Sequence, residues 1–175
     1  MTSLYMLAQA GIPHPESVLW RFANWLENTS LGAGIAGSLW AYPYVQLLHF
    51  TGLSIWLGTT ITVDLHLLGV LKRQQTPAQL LKGLIIWNWI GFVVLISGGF
   101  MLFSTAATGF IQNPAFETKV GLLLPMALIW HIIVQIKLRT WGQTMEPPRV
   151  AKVAGLVEIF LWLTVAAAAT TIPYF

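Results

Sequence analysis

The chain has 175 residues, of which 56% are apolar and 9% charged, with a mean hydropathy of +0.70. Soluble domains average about 25% charged residues, so this composition excludes a water-exposed globular surface, and the length suits one domain. The net charge of +3 is small, and the absence of cysteine excludes disulfides, thiolate metal sites, iron–sulfur clusters and thiol catalysis. Nine Trp and nine Phe suit a protein with aromatic belts at two membrane interfaces.

The first basic residue is Arg21, so the N-terminal segment lacks the basic start and apolar run of a cleavable signal peptide. Residues 16–28 read as amphipathic: Val18, Leu19, Phe22, Trp25 and Leu26 share an arc of about 120°, with Arg21, Asn24, Glu27 and Asn28 opposite. This suits a helix lying on the outer membrane surface, capping the bundle, or docking on a partner. Gly32-Ala33-Gly34-Ile35-Ala36-Gly37 matches the dinucleotide pattern G-x-G-x-x-G. It has no strand before it, so it reads as a flexible hinge. Residues 1–37 therefore form an interfacial helix and hinge, and 38–175 a membrane bundle.

Charge-free stretches place four spans at about 40–68, 84–105, 116–136 and 154–172, each near the roughly 20 residues a bilayer requires. Thr76-Pro77-Ala78-Gln79 is a helix start with a capping box, and Asn113-Pro114 repeats the start signal with Glu117 in the first turn. Lys72, Arg73 and Lys82 flank the first loop, and Lys137, Arg139, Arg149 and Lys152 the third. These two loops then face the cytoplasm and both termini lie outside, as in a multi-pass protein of a bacterial inner membrane. The expected fold is all-α, a four-helix integral membrane bundle.

Polar groups inside a bilayer need an interior partner or a function. The intramembrane set is His49, Asp64, Asn88, His131, Gln135 and Glu158. Helical spacing groups His49, Trp56, Thr60 and Asp64; Asn88, Phe92, Leu95 and Gly99; Leu124, Ala127, His131 and Gln135; and Glu158, Trp162, Val165 and Ala169. Turning these four faces inward gives a polar-cored bundle. His49 and His131 lie on different helices within about 9 Å of the same depth. Two such histidines suit bis-His ligation of a b-type haem, with Gly52 and the Gly98-Gly99 pair admitting the macrocycle. Hydrogen bonding between helices explains the same histidines, and close helix packing the same glycines. Met101 and Met126 read as packing more than as ligands. Asp64, His131 and Glu158 also suit a proton relay. His14 and His66 are expected at the interfaces without special roles, and Lys119 near the outer end, where it can snorkel.

The segments YVQLLHFTGLSIWLGTTITVDLHLLGVLKR (Tyr44–Arg73) and NPAFETKVGLLLPMALIWH (Asn113–His131) resemble an uncharacterised bacterial family of small four-span membrane proteins, over most of 38–172. More distantly, LLHFTGLSIWLG is similar to the first-span His motif of CopD-type copper-resistance proteins and HemJ-type protoporphyrinogen oxidases. The latter resemblance implies b haem and marks His49 and Lys119 as site residues. Asn113-Pro114-Ala115-Phe116 and the N-terminal segment depart from that pattern, so the enzyme activity does not transfer.

The expected function is a b-type haem-binding redox or electron-transfer protein, with His49 and His131 as metal ligands and Gly52, Gly99 and Lys119 beside the cofactor. The alternatives are an accessory subunit of a larger membrane complex, and a proton or small-solute pathway through Asp64 and Glu158. Expected partners are the lipid bilayer and other membrane subunits or a homo-oligomer. The basic residues form no continuous patch for nucleic acid.

Overall fold

The computed structural model describes residues 17–71 and 74–174, all helix and connecting turn with no strand among them. His14, Lys72 and Arg73, each assigned a position above, lie outside the described residues. Ser17 caps α1 (Val18–Glu27) by accepting from Trp20 N–H. Thr29 does the same through Gly32 N–H for α2 (Ser30–Ala36). Residues 32–37, expected as a flexible hinge, therefore lie mostly within a short helix. Gly32 makes it possible: a Cβ there would stand 2.5 Å from the Ser104 carbonyl oxygen, so only glycine lets α2 press onto the neighbouring chain.

Helix α3 (Ala41–Leu67) turns into α4 (Pro77–Ser104). The Thr76–Gln79 capping box forms as its residue types predict. A single turn, α5 (Ala107–Phe110), leads to α6 (Pro114–Trp141), whose Asn113 cap accepts from Ala115 and Phe116 N–H. Lys119–Leu123 of α6 is a π-helical turn, in which Leu124 N–H donates to the Lys119 carbonyl five residues back. Pro125 follows at once, and its missing N–H denies the Gly121 carbonyl its ordinary α-helical donor. Last comes α7 (Arg149–Thr171).

Helices α4, α6 and the stretch Arg149–Tyr174 are each long and apolar enough to cross a membrane. Their outward faces carry bare Trp87, Val93, Ile129, Ile136 and Phe160, as a lipid-facing surface would. The two basic connections meet at one end, where Ala78 N–H donates to the Gly142 carbonyl (3.0 Å).

Helices α3 and α4 run antiparallel in unusually close contact. A Cβ at Gly52 would lie 2.3 Å from Leu95 N, one at Gly91 2.7 Å from Trp56 N, and one at Gly98 2.9 Å from His49 Cα. Three glycines thus interlock two backbones, the small-residue packing that membrane helices use. Below this contact, Val63, Leu67, Leu80, Leu81, Val134, Leu138, Ala151 and Ala154 form one apolar layer. A second layer, of Trp56, Leu95, Ala127, Trp162 and Val165, lies toward the other end. The polar groups are sandwiched between the two.

Helix α1 docks by Ala23 and Leu26 on Ala107 and Ile111, and the Glu27 carboxylate accepts from Thr108 N–H (3.0 Å) and Oγ1–H (2.7 Å). Of the predicted apolar arc only Leu26 is buried; Val18, Leu19, Phe22 and Trp25 stay uncovered.

Candidate functional site

The site begins with Asn88 at the middle of α4. Its Nδ2 donates to the hydroxyls of Thr59 and Thr60 on α3, both at 2.9 Å, which fixes the amide orientation. The carbonyl Oδ1 is thereby aimed at α6. There it accepts from Gln135 Nε2 (2.9 Å) and lies 3.0 Å from His131 Nε2. His131 and Gln135 are four residues apart, so one helix turn places them side by side. Gln135 is held in turn by Trp89, whose Nε1–H donates to its Oε1 (3.2 Å). On its other side, His131 Nδ1–H donates to the carboxylate of Glu158 on α7. All four long helices therefore meet in one hydrogen-bonded cluster, with Asn88, His131 and Glu158 each 2% exposed.

The surroundings of Nε2 are the informative part. It faces an acceptor, Asn88 Oδ1, and also a donor, Gln135 Nε2 at 2.7 Å. A protonated ring gives its Nε2–H to Asn88, while a neutral ring offers its lone pair to Gln135. Either form leaves no nitrogen unsatisfied. Three indoles close around the ring, with centroids 4.4 Å (Trp56), 6.1 Å (Trp89) and 6.2 Å (Trp162) from it. Trp56 is tilted against the imidazole and Trp89 and Trp162 meet it edge-on, so the indoles enclose it in aromatic surface.

Asp64, one turn below Thr60 on α3, borders the same cavity as Glu158, Asn88 and His131. It is 1% exposed, and its Oδ2 has no hydrogen-bond partner in the protein.

The remaining expected site residues lie elsewhere. His49 is half-buried two turns from Trp56, and its Nδ1–H donates to the Leu95 carbonyl (2.9 Å). Its ring rests on Gly99, where a Cβ would come 3.1 Å from its Cε1. The expected pairing of His49 with His131 as ligands does not fit, because both ring nitrogens of His131 are engaged. Gly52 does not open space for a macrocycle either, since the α4 backbone fills it. Lys119 is half-buried at the first residue of the π turn. Among the described residues no group of three or more His, Asp or Glu side chains converges to hold a metal ion.

His66 also departs from expectation. It is buried, and its ring nitrogens engage the carbonyls of Leu71 (2.6 Å) and Gln75 (2.7 Å), clasping the first basic connection. Nothing in its spacing announces this. Trp89 was likewise not singled out, because it lies beside Asn88 on the helix and reaches the site only through the length of its indole.

Among the described residues, fold and site together define an all-helical arrangement, with three helices long and apolar enough to cross a membrane, around a buried ionisable cluster. Residues 22–175 match the family of unknown function DUF6644, and the chain belongs to that family. Neither the curated proteins nor the solved structures include a match.

Proposed function

We propose that this is a four-span inner-membrane protein that takes up and passes protons through His131, Glu158 and Asp64. The observation that carries this is the placement of His131 Nε2 between a donor and an acceptor, which satisfies the ring in both protonation states. A residue serving only to join helices needs one satisfied state; this one has two. When the ring is charged, Nδ1–H lies against the Glu158 carboxylate, so one proton moves along an existing hydrogen bond without side-chain rotation.

The fourth span is α3. Its hydroxyls at Thr51, Ser54, Thr59 and Thr62 each donate to the carbonyl four residues back, so they carry no unmet donor into lipid. The end bearing Lys82, Lys137, Arg139, Arg149 and Lys152 faces the cytoplasm, and the uncovered Val18, Leu19, Phe22 and Trp25 of α1 rest in the opposite interface.

In liposomes holding a pH-sensitive dye, an applied potassium diffusion potential drives proton entry through the wild type. Glu158→Gln lowers the rate at least about tenfold, as expected when a transferring group is lost. Equal rates, or a wild type no faster than protein-free liposomes, overturn the reading and leave the cluster as helix glue in an accessory subunit.

One observation favours a second reading, a b-type haem redox protein with His49 as a single axial ligand. Donation from Nδ1 to Leu95 leaves Nε2 with its lone pair, the arrangement that metal-binding histidines use. Bound haem would supply one-electron chemistry at the outer half of α3 and α4. A reduced-minus-oxidised spectrum with sharp α and β bands that vanish in His49→Ala supports it; a colourless protein from haem-supplied cells removes it.

A further inference from the structure

His66 stands in the last turn of α3, buried, with a carbonyl oxygen facing each of its ring nitrogens. Nδ1 lies 2.6 Å from the Leu71 oxygen and Nε2 2.7 Å from that of Gln75. A backbone carbonyl only accepts, and a neutral imidazole has a single N–H to give. Only the imidazolium serves both oxygens, whereas a neutral ring turns a lone pair toward one of them. His131 differs, because its Nε2 faces a donor as well as an acceptor.

The two oxygens belong to opposite sides of the connection. Leu71 is fastened to α3: its N–H and that of Val70 reach the Leu65 carbonyl (3.1 and 3.0 Å), after Gly69 turns the chain at φ +79°. Gln75 immediately precedes Thr76, the cap of α4. The charged ring therefore ties the end of α3 to the start of α4. No acidic group shares the ring: among the described residues the one His–carboxylate pair is His131 with Glu158. His66 follows Gly52 and Thr59 at intervals of seven, on the side of α3 that meets α4, whose one ionisable side chain is the exposed Lys82. Asp64 lies about 160° round α3, at the cavity it borders with Glu158 of α7. Lys72 and Arg73 of the connection itself lie outside the described residues. The other charges at this end are Lys137 and Arg139 of α6, Arg149 and Lys152 of α7, and the exposed Glu146 between them.

We propose that His66 is a pH-sensitive staple: as imidazolium it holds both ends of the first connection, and loss of one proton lets one end go. Histidine is the side chain whose charge ordinarily changes between about pH 5 and 8. The join between α3 and α4 is therefore fastened at low pH and loosened at high pH. The staple goes beyond the proton-handling reading and does not depend on it. With the basic end in the cytoplasm, as proposed above, the ring reads cytoplasmic pH.

Hydrogen–deuterium exchange on the full chain in detergent is the test. It is read at about pH 5 and about pH 9, which bracket the ordinary imidazole range, and corrected for the intrinsic pH dependence of exchange. The amides of Val70, Leu71 and Thr76, each hydrogen-bonded in the fastened connection, exchange at least about fivefold faster at the higher pH, as the loss of one hydrogen bond implies. The connection at 105–113, at the other end of the bundle, is the internal reference and does not change. His66→Gln, neutral at every pH, removes the difference. Imidazole ¹⁵N spectra give a second readout, in which the His66 ring carries two N–H groups at the lower pH and one at the higher. Unchanged protection of the wild type overturns the proposal, whatever the variant does. So does a pH response that survives in folded His66→Gln, or a His66 ring with a single N–H at both pH values.

Discussion

Gly52→Val is expected to lower the melting temperature of the detergent-solubilised protein by about 10 °C or more. A Cβ at this position meets backbone rather than a side chain that can swing aside: Leu95 N at 2.3 Å and Leu95 Cα at 2.7 Å. The two helices must separate to admit it, and the strain spreads to Gly91 and Gly98, which lock the same pair from the other side. Overpacking of an ordinary core costs about 1–3 kcal/mol, and a backbone collision lies at or above the top of that range. For a chain of this length each kcal/mol moves the midpoint by about 2–4 °C. Gly58→Ala is the control, since a Cβ there has nothing within 4 Å, and its midpoint should match the wild type. A Gly52→Val protein that melts with the wild type would show that α3 and α4 are not held by this contact.

The second large effect concerns the pair on α6 and α7. Glu158→Ala should destabilise the protein by about 3 kcal/mol or more, because it strands His131 in a buried site where its Nδ1–H has no other acceptor. The double variant Glu158→Leu with His131→Leu should recover most of that loss, since it removes both polar partners together. Denaturant or thermal unfolding of the two proteins side by side reads the difference. A double variant less stable than Glu158→Ala would mean that the pair is a net source of stability. Recovery to the wild-type level would mean that the pair adds little net stability to the interior of the bundle.

How far the sequence carries can be judged face by face. Trp56, Thr60 and Asp64, then Asn88 and Leu95, then Ala127, His131 and Gln135, then Glu158, Trp162 and Val165 are buried, as their helical spacing implies, while His49, Phe92, Gly99, Leu124 and Ala169 of the same faces are half-buried. Spacing reads a face well because burial depends on which way a side chain points. It does not read partners, which depend on the relative height and rotation of two helices. Hence His131 was expected to present a free nitrogen, whereas Gln135, Asn88 and Glu158 use both. The glycines show the same limit: Gly52 and Gly98 announce a close approach, but not whether a ring or a backbone makes it. The burial of His66 was illegible for another reason, because its partners are backbone carbonyls, and these carry no residue signature.

The π turn at Lys119–Leu123 has a consequence for any reasoning that counts residues along α6. One extra residue in a turn shifts everything on one side of it by about 100° relative to the other. Lys119 and His131 are twelve positions apart, and a helical wheel drawn through both assigns them a relation that the chain does not have. Two half-helices are joined here as a threaded coupling joins two shafts, each half clocked to its own neighbours. Deleting a single residue inside the turn would preserve length, composition and hydropathy almost entirely, yet leave one half facing the wrong way.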